Sequence, residues 1–159
     1  MVIENKKLPI GYWIKHADQL LTSGINQVQH SFSLTRTSWQ VLNSIASKPD
    51  IDRESLLEVM QPFAGEKSVS TILCEFFDEN IISIQGGLRL SEKGKQLYKD
   101  CLKAQQAFRK KAMAGISEVE YEISVKTLSQ LVSNLSRPEA SRRSPINGKH
   151  RTYEKEHSR

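Results

Sequence analysis

Long hydrophobic runs are missing from this chain of 159 residues. No apolar stretch approaches the roughly 20 residues that span a bilayer, so no membrane segment is expected. Cysteine is scarce: Cys74 and Cys101 stand apart without metal-ligand spacing and read as reduced thiols of a cytoplasmic protein. His16 and His30 have no third ligand at a fitting spacing, so no metal is expected. There is no phosphate-binding glycine loop, no Ser-His-Asp set in a catalytic context and no paired-carboxylate signature. The expectation is a protein that is not an enzyme and needs no cofactor. Met1 to Lys7 is polar and leads into an amphipathic segment, so no signal peptide is expected.

Basic charge is present but unevenly placed. The net charge is +5, and of the residues beyond Ser136 seven are basic against three acidic. The tail therefore carries +4, leaving +1 for residues 1–135. The basic character belongs to the tail, and any nucleic-acid contact of the body must come from local arrangement. After Pro138 the pattern dissolves into Ser, Arg, Asn, Gly and Lys, the composition of a disordered basic segment. Such an arm would add sequence-independent phosphate contacts, or serve only as a solubilising extension.

The body reads as six helices and a short hairpin. The first helix spans about Leu8 to Gln29, with Ile10, Trp13, Ile14, Ala17, Leu20, Leu21, Ile25 and Val28 at helical spacing. A second helix follows Thr35 as N-cap and stops before Pro49; a third opens at Asp52 and ends at Pro62. A fourth covers about Glu66 to Glu79, with one apolar stripe at Val69, Ile72, Leu73, Phe76 and Phe77. At about 100° per residue the stripe leaves Lys67, Thr71 and Cys74 opposite, with Ser68 and Ser70 on the shoulders. Ile81 to Ile84, Gln85-Gly86-Gly87 and Leu88-Arg89-Leu90 form a tight hairpin. A fifth helix runs from about Ser91 to Met113. Ser117 and Glu120 form a capping box for a sixth, which carries Val119, Ile123, Leu128, Leu131, Val132 and Leu135.

A helix pair followed by a short hairpin is the order of a winged helix-turn-helix, so the fold class is mainly α. Small hydroxyls and one lysine near a helix N-terminus suit base edges and phosphates. Lys67 is the phosphate or guanine contact, and Ser68, Ser70 and Thr71 lie near base edges. Glu75 and Asp78 on the C-terminal half would be repelled by phosphates, so only the N-terminal end enters a groove. Cys74, on the same face, is an incidental small residue or an oxidisable thiol. Tyr12, Trp13, His16 and Trp39 are candidates for an aromatic pocket that would hold a planar ligand, although the two tryptophans are equally explained as core.

Several segments taken together resemble the multiple-antibiotic-resistance regulator (MarR) family of bacterial transcription factors. They are Leu34-Thr35 with Trp39-Gln40-Val41-Leu42, Ser68-Val69-Ser70-Thr71-Ile72-Leu73, Asn80-Ile81-Ile82 and Leu90-Ser91-Glu92-Lys93-Gly94. The resemblance covers about residues 8–135. It implies an N-terminal dimerisation helix (8–33), a DNA-binding lobe (34–90), C-terminal dimerisation helices (91–135) and the tail (136–159). It also implies a homodimeric repressor that binds a palindromic operator in double-stranded DNA and is often released by a small aromatic effector or an oxidising signal. Family wings carry an Asp-Arg-Arg-like cluster near the tip. Here the tip is Gln85-Gly86-Gly87 and only Arg89 remains. The rival expectation is a dimeric protein-protein interaction module on the same fold, with weak or no specific DNA binding.

Overall fold

The computed structural model describes residues 8–136. Its elements are α1 (Ile10–His30), α2 (Arg36–Ser47), α3 (Arg53–Met60), α4 (Glu66–Asp78), β1 (Ile82–Ile84), β2 (Leu88–Leu90), α5 (Glu92–Ala112) and α6 (Glu118–Ser136). Two compact units divide at Ala114 and Gly115, the first holding α1 to α5 with the hairpin and the second holding α6. The disordered tail expected from the sequence lies, from residue 137 on, outside the described residues. None of the described helices is long and apolar enough to cross a membrane.

Local chemistry sets the helix boundaries. Thr35 caps α2 by accepting from the Ser38 amide at 3.1 Å, while Ser38 Oγ accepts from the Thr35 amide at 2.8 Å, a reciprocal capping box. Asp52 caps α3, its carboxylate accepting from the Ser55 amide at 2.7 Å. At the end of α4, Asn80 takes the left-handed conformation (φ 56°). There the Asn80 amide donates to Phe77 O and the Ile81 amide to Phe76 O, closing the helix with a Schellman motif. That closure delays the strand: the sequence pattern starts it at Ile81, but β1 begins at Ile82 because the Ile81 amide is spent on the helix end.

The core of the first unit gathers Leu34, Val41, Leu42, Ile45, Ile51, Leu56, Met60, Val69, Ile72, Leu73, Phe76, Ile81, Ile82 and Leu88 from six segments around α2. Burying each large aliphatic chain contributes about 1.5–3 kcal/mol relative to leaving it in water. The hairpin is antiparallel, with Ile82 opposite Leu90 and Ile84 opposite Leu88. A third segment joins it: the Asp50 amide donates to Leu88 O at 3.1 Å and the Leu88 amide to Ile51 O at 2.9 Å. Gly87 is required at this crossing, since a Cβ there would lie 2.3 Å from the Asp50 carbonyl oxygen.

The fifth helix is fastened to the lobe at two places. Tyr98 stacks on Trp39 with ring centroids 5.4 Å apart and donates its hydroxyl to Asn43 Oδ1 at 3.2 Å. At its start, Ser91 caps the helix and its amide donates to Ile81 O at 2.9 Å. Further along, the Phe108 ring lies directly over Gly24 of α1. By contrast, α1 exposes Ile10, Tyr12, Ile14, Leu20 and Leu21, and α6 exposes Val119, Ile123, Leu128, Val132 and Leu135. In α6 itself Ser117 and Glu120 form the expected capping box.

Candidate nucleic-acid interface

The stripe of α4 sinks into the core, with Val69, Ile72, Leu73 and Phe76 buried and Phe77 half-buried. The rotation this fixes turns Lys67, Ser68, Thr71 and Cys74 outward, all exposed. Gly65 occupies the N-cap and no side chain caps the first turn, which leaves its N–H groups available to an anion. The Thr71 hydroxyl donates to Lys67 O at 3.0 Å, a bond within the helix that leaves its oxygen free to accept.

Two residues read as contacts from the sequence are already engaged. Ser70 faces α3, half-buried, and its Oγ accepts from Arg53 Nη2 at 2.7 Å; Arg53 also reaches Glu66 at 3.5 Å. Arg89 is held by Asp50, its Nε and Nη2 donating to the two carboxylate oxygens. The hydrogen bond and charge of Arg89 hold the Asp50 carboxyl below its ordinary value, and Asp50 in turn raises Arg89. Asp50 itself adopts φ 66°, an uncommon conformation for a residue other than glycine. Arg89 therefore ties the hairpin to the α2–α3 connection.

Arg53 and Asp50 carry this arrangement, and the sequence reading missed both. Their partners lie 17 and 39 positions away, beyond any local pattern. Composition alone held a signal: from Leu34 to Leu90 only Arg36, Lys48, Arg53, Lys67 and Arg89 are basic, so each cation there counts. The same segment holds eight acidic residues, which makes the lobe net −3.

The aromatic candidates fall on two helices, α1 and α2. Tyr12 meets Trp13 edge to face at 5.3 Å and stacks with His16 at 5.7 Å, all on α1. Trp39 is buried instead against Tyr98. Of the thiols, Cys74 is exposed and Cys101 is buried. Burial pushes the Cys101 thiol up, partly offset by the Gln105 amide donating to its sulfur at 3.3 Å. Among the described residues no His, Cys, Asp and Glu groups are placed to hold a metal ion.

No family model and no curated relative matches this sequence. Solved structures match its fold. MepR of Staphylococcus aureus, a transcription regulator of the multidrug efflux pump MepA, superposes with a TM-score of 0.67 at 14% identity, over 81% of this chain and 100% of that one. A Mycobacterium tuberculosis MarR family protein in complex with DNA gives 0.61 at 14% identity, over 82% and 100%. Its complex with salicylic acid gives 0.55 at 16% identity, over 77% and 98%. The chain has the winged helix-turn-helix fold of the MarR-family regulators.

Proposed function

We propose that this chain is a DNA-binding transcription regulator of the MarR type, a cytoplasmic homodimer acting as a repressor on a palindromic operator. The observation that carries the reading is the N-terminal half of α4. There Lys67, Ser68 and Thr71 stand exposed beside an uncapped helix start, on the helix that a helix-turn-helix inserts into the major groove. The fold likeness to a DNA-bound structure supports it. Dimerisation is supported by the apolar faces of α1 and α6, since apolar surface of that extent marks an interface. A small aromatic effector, as in the salicylic acid complex, completes the proposal.

A specific observation favours a second reading. A lobe of net −3, with Arg53 and Arg89 both ion-paired, offers phosphates little long-range attraction. An interaction module that binds a protein rather than DNA fits that balance.

Selection of duplexes from a random pool, followed by binding isotherms over a salt series, separates the two. For the regulator, Lys67→Ala weakens all duplexes and lowers the salt slope by about 1, as expected for one lost phosphate contact. Thr71→Ala changes sequence preference, by roughly 1–3 kcal/mol at the base it reads. If no duplex is enriched, or neither substitution alters binding, the interaction module is the better account.

A further inference from the structure

One flank of α4 borders a groove of about 730 Å³ whose apolar wall and carboxylates the DNA reading does not use. Sites for small molecules usually measure roughly 300–1,000 Å³. Phe32, Phe63, Ile72, Phe76 and Leu97 supply its apolar wall. Phe63 leaves 58% of its surface in solvent, so an apolar ligand laid on it removes that surface from water.

The polar groups of the groove have one dominant sign. Glu75 and Glu79 stand one turn apart on the same flank, both exposed, and among the described residues neither carboxylate has an ion-pair or hydrogen-bond partner. They sit at the C-terminal end of α4, where the helix dipole already presents negative charge and no basic residue occupies the last turn. Like charges at this spacing repel, so the arrangement costs the free protein stability. The one cation in the groove, Lys93, donates to the Glu79 carbonyl at 2.7 Å and leaves the carboxylates alone. A ligand that covers the phenyl rings and brings positive charge gains apolar burial and relieves the repulsion between the carboxylates, and an anion of the same shape gains only the first.

We propose that this groove binds a hydrophobic cation: aromatic surface against Phe32, Phe63 and Phe76, and an ammonium or phosphonium centre facing Glu75 and Glu79. Ser68 and Thr71 also line the groove. An occupant therefore stands beside the residues proposed to read bases. That gives the effector a chemical class, and this consequence, though not the binding, rests on the DNA reading above.

Tetraphenylphosphonium and tetraphenylborate share shape and size but differ in the sign of their charge, and they make the test. Each is titrated into the full chain without DNA and followed at the amide resonances of Phe63, Ser68 and Glu75, so that ions attracted elsewhere do not count. The phosphonium should bind at least about tenfold more tightly than the borate. The double variant Glu75→Gln with Glu79→Gln should cost the phosphonium roughly threefold to tenfold in affinity. Glu75→Asp with Glu79→Asp should retain most of it, and Phe63→Ala should weaken both ions. Equal binding of the two ions, or a double glutamine variant that binds the phosphonium as wild type does, overturns the proposal. Displacement of a selected duplex by the phosphonium is measured separately. Groove binding in a chain that binds no duplex upholds this inference while refuting the DNA reading.

Discussion

Replacing Gly94 by alanine adds one methyl group and should cost the fold several kcal/mol. A Cβ built on Gly94 lies 2.0 Å from the Ile81 carbonyl oxygen and 3.0 Å from its carbon, against about 3.0–3.4 Å for tight contacts. The backbone of α5 must therefore retreat from Ile81 by about 1 Å. That retreat breaks the bond from the Ser91 amide to Ile81 O (2.9 Å) and disturbs the one from the Ser91 hydroxyl to Asn80 O (2.6 Å). Each net hydrogen bond contributes about 0.5–1.5 kcal/mol, and forced overpacking costs about 1–3 kcal/mol. The intrinsic gain of alanine over glycine in a helix is about 0.5–1 kcal/mol and works the other way. Steric cost wins, leaving a loss of about 2–4 kcal/mol. For a domain of this size that lowers Tm by roughly 10 °C. Gly11 is the control: it lies in α1 with nothing within 4 Å of a Cβ, so Gly11→Ala should leave Tm unchanged or raise it slightly. Thermal melts followed by circular dichroism, at matched protein concentration because a dimer melts concentration-dependently, decide it. A Gly94→Ala variant melting within about 2 °C of wild type, or a Gly11→Ala variant falling as far, would refute the reasoning.

Arg89→Ala should leave the salt slope of DNA binding unchanged, because Asp50 already occupies the guanidinium; a drop of about 1 would restore Arg89 as a phosphate contact. Leu128→Asp combined with Leu131→Asp should convert a dimer to a monomer by light scattering, and an intact dimer would remove α6 from the interface. Asp52, held below its ordinary 3.8 by the Ser55 amide and hydroxyl, stabilises the start of α3. A carboxyl lowered by folding contributes stability above its unfolded value and loses it as pH falls through the folded one. Asp52→Ala should therefore destabilise at neutral pH and converge with wild type in strong acid, as followed by urea melts from pH 7 downward.

Much of the fold was legible because its determinants are local. Thr35, Asp52, Ser91 and the Ser117–Glu120 pair all cap helices through partners three positions away, a distance any reading of the sequence covers. Helical period placed the buried stripe of α4 correctly, and with it the outward turn of Lys67 and Thr71. Gly94 shows where such reading stops. Its position in the first turn of a helix explains why glycine is tolerated there. Only the approach of the Ile81 carbonyl explains why a larger residue is not.

The candidate interface was half legible for a related reason. Periodicity says which way a side chain points and is silent on what waits there. Ser70 and Arg89 both sit where a reader of DNA would stand, yet each is taken by a residue that only the folded chain brings near. The family-like order of elements is thus retained while the cations of the lobe are turned to holding it together: Arg53 bridges α3 to α4, and Arg89 fastens the hairpin to Asp50. What remains free on α4 is Lys67 at one end and the carboxylates Glu75, Asp78 and Glu79 at the other. A helix so divided places attraction for phosphate and attraction for cations about two to three turns apart. On the two proposals taken together, a cation at the acidic end would sit on the same helix that would meet DNA at the basic end, and the two would need no moving part between them to interfere.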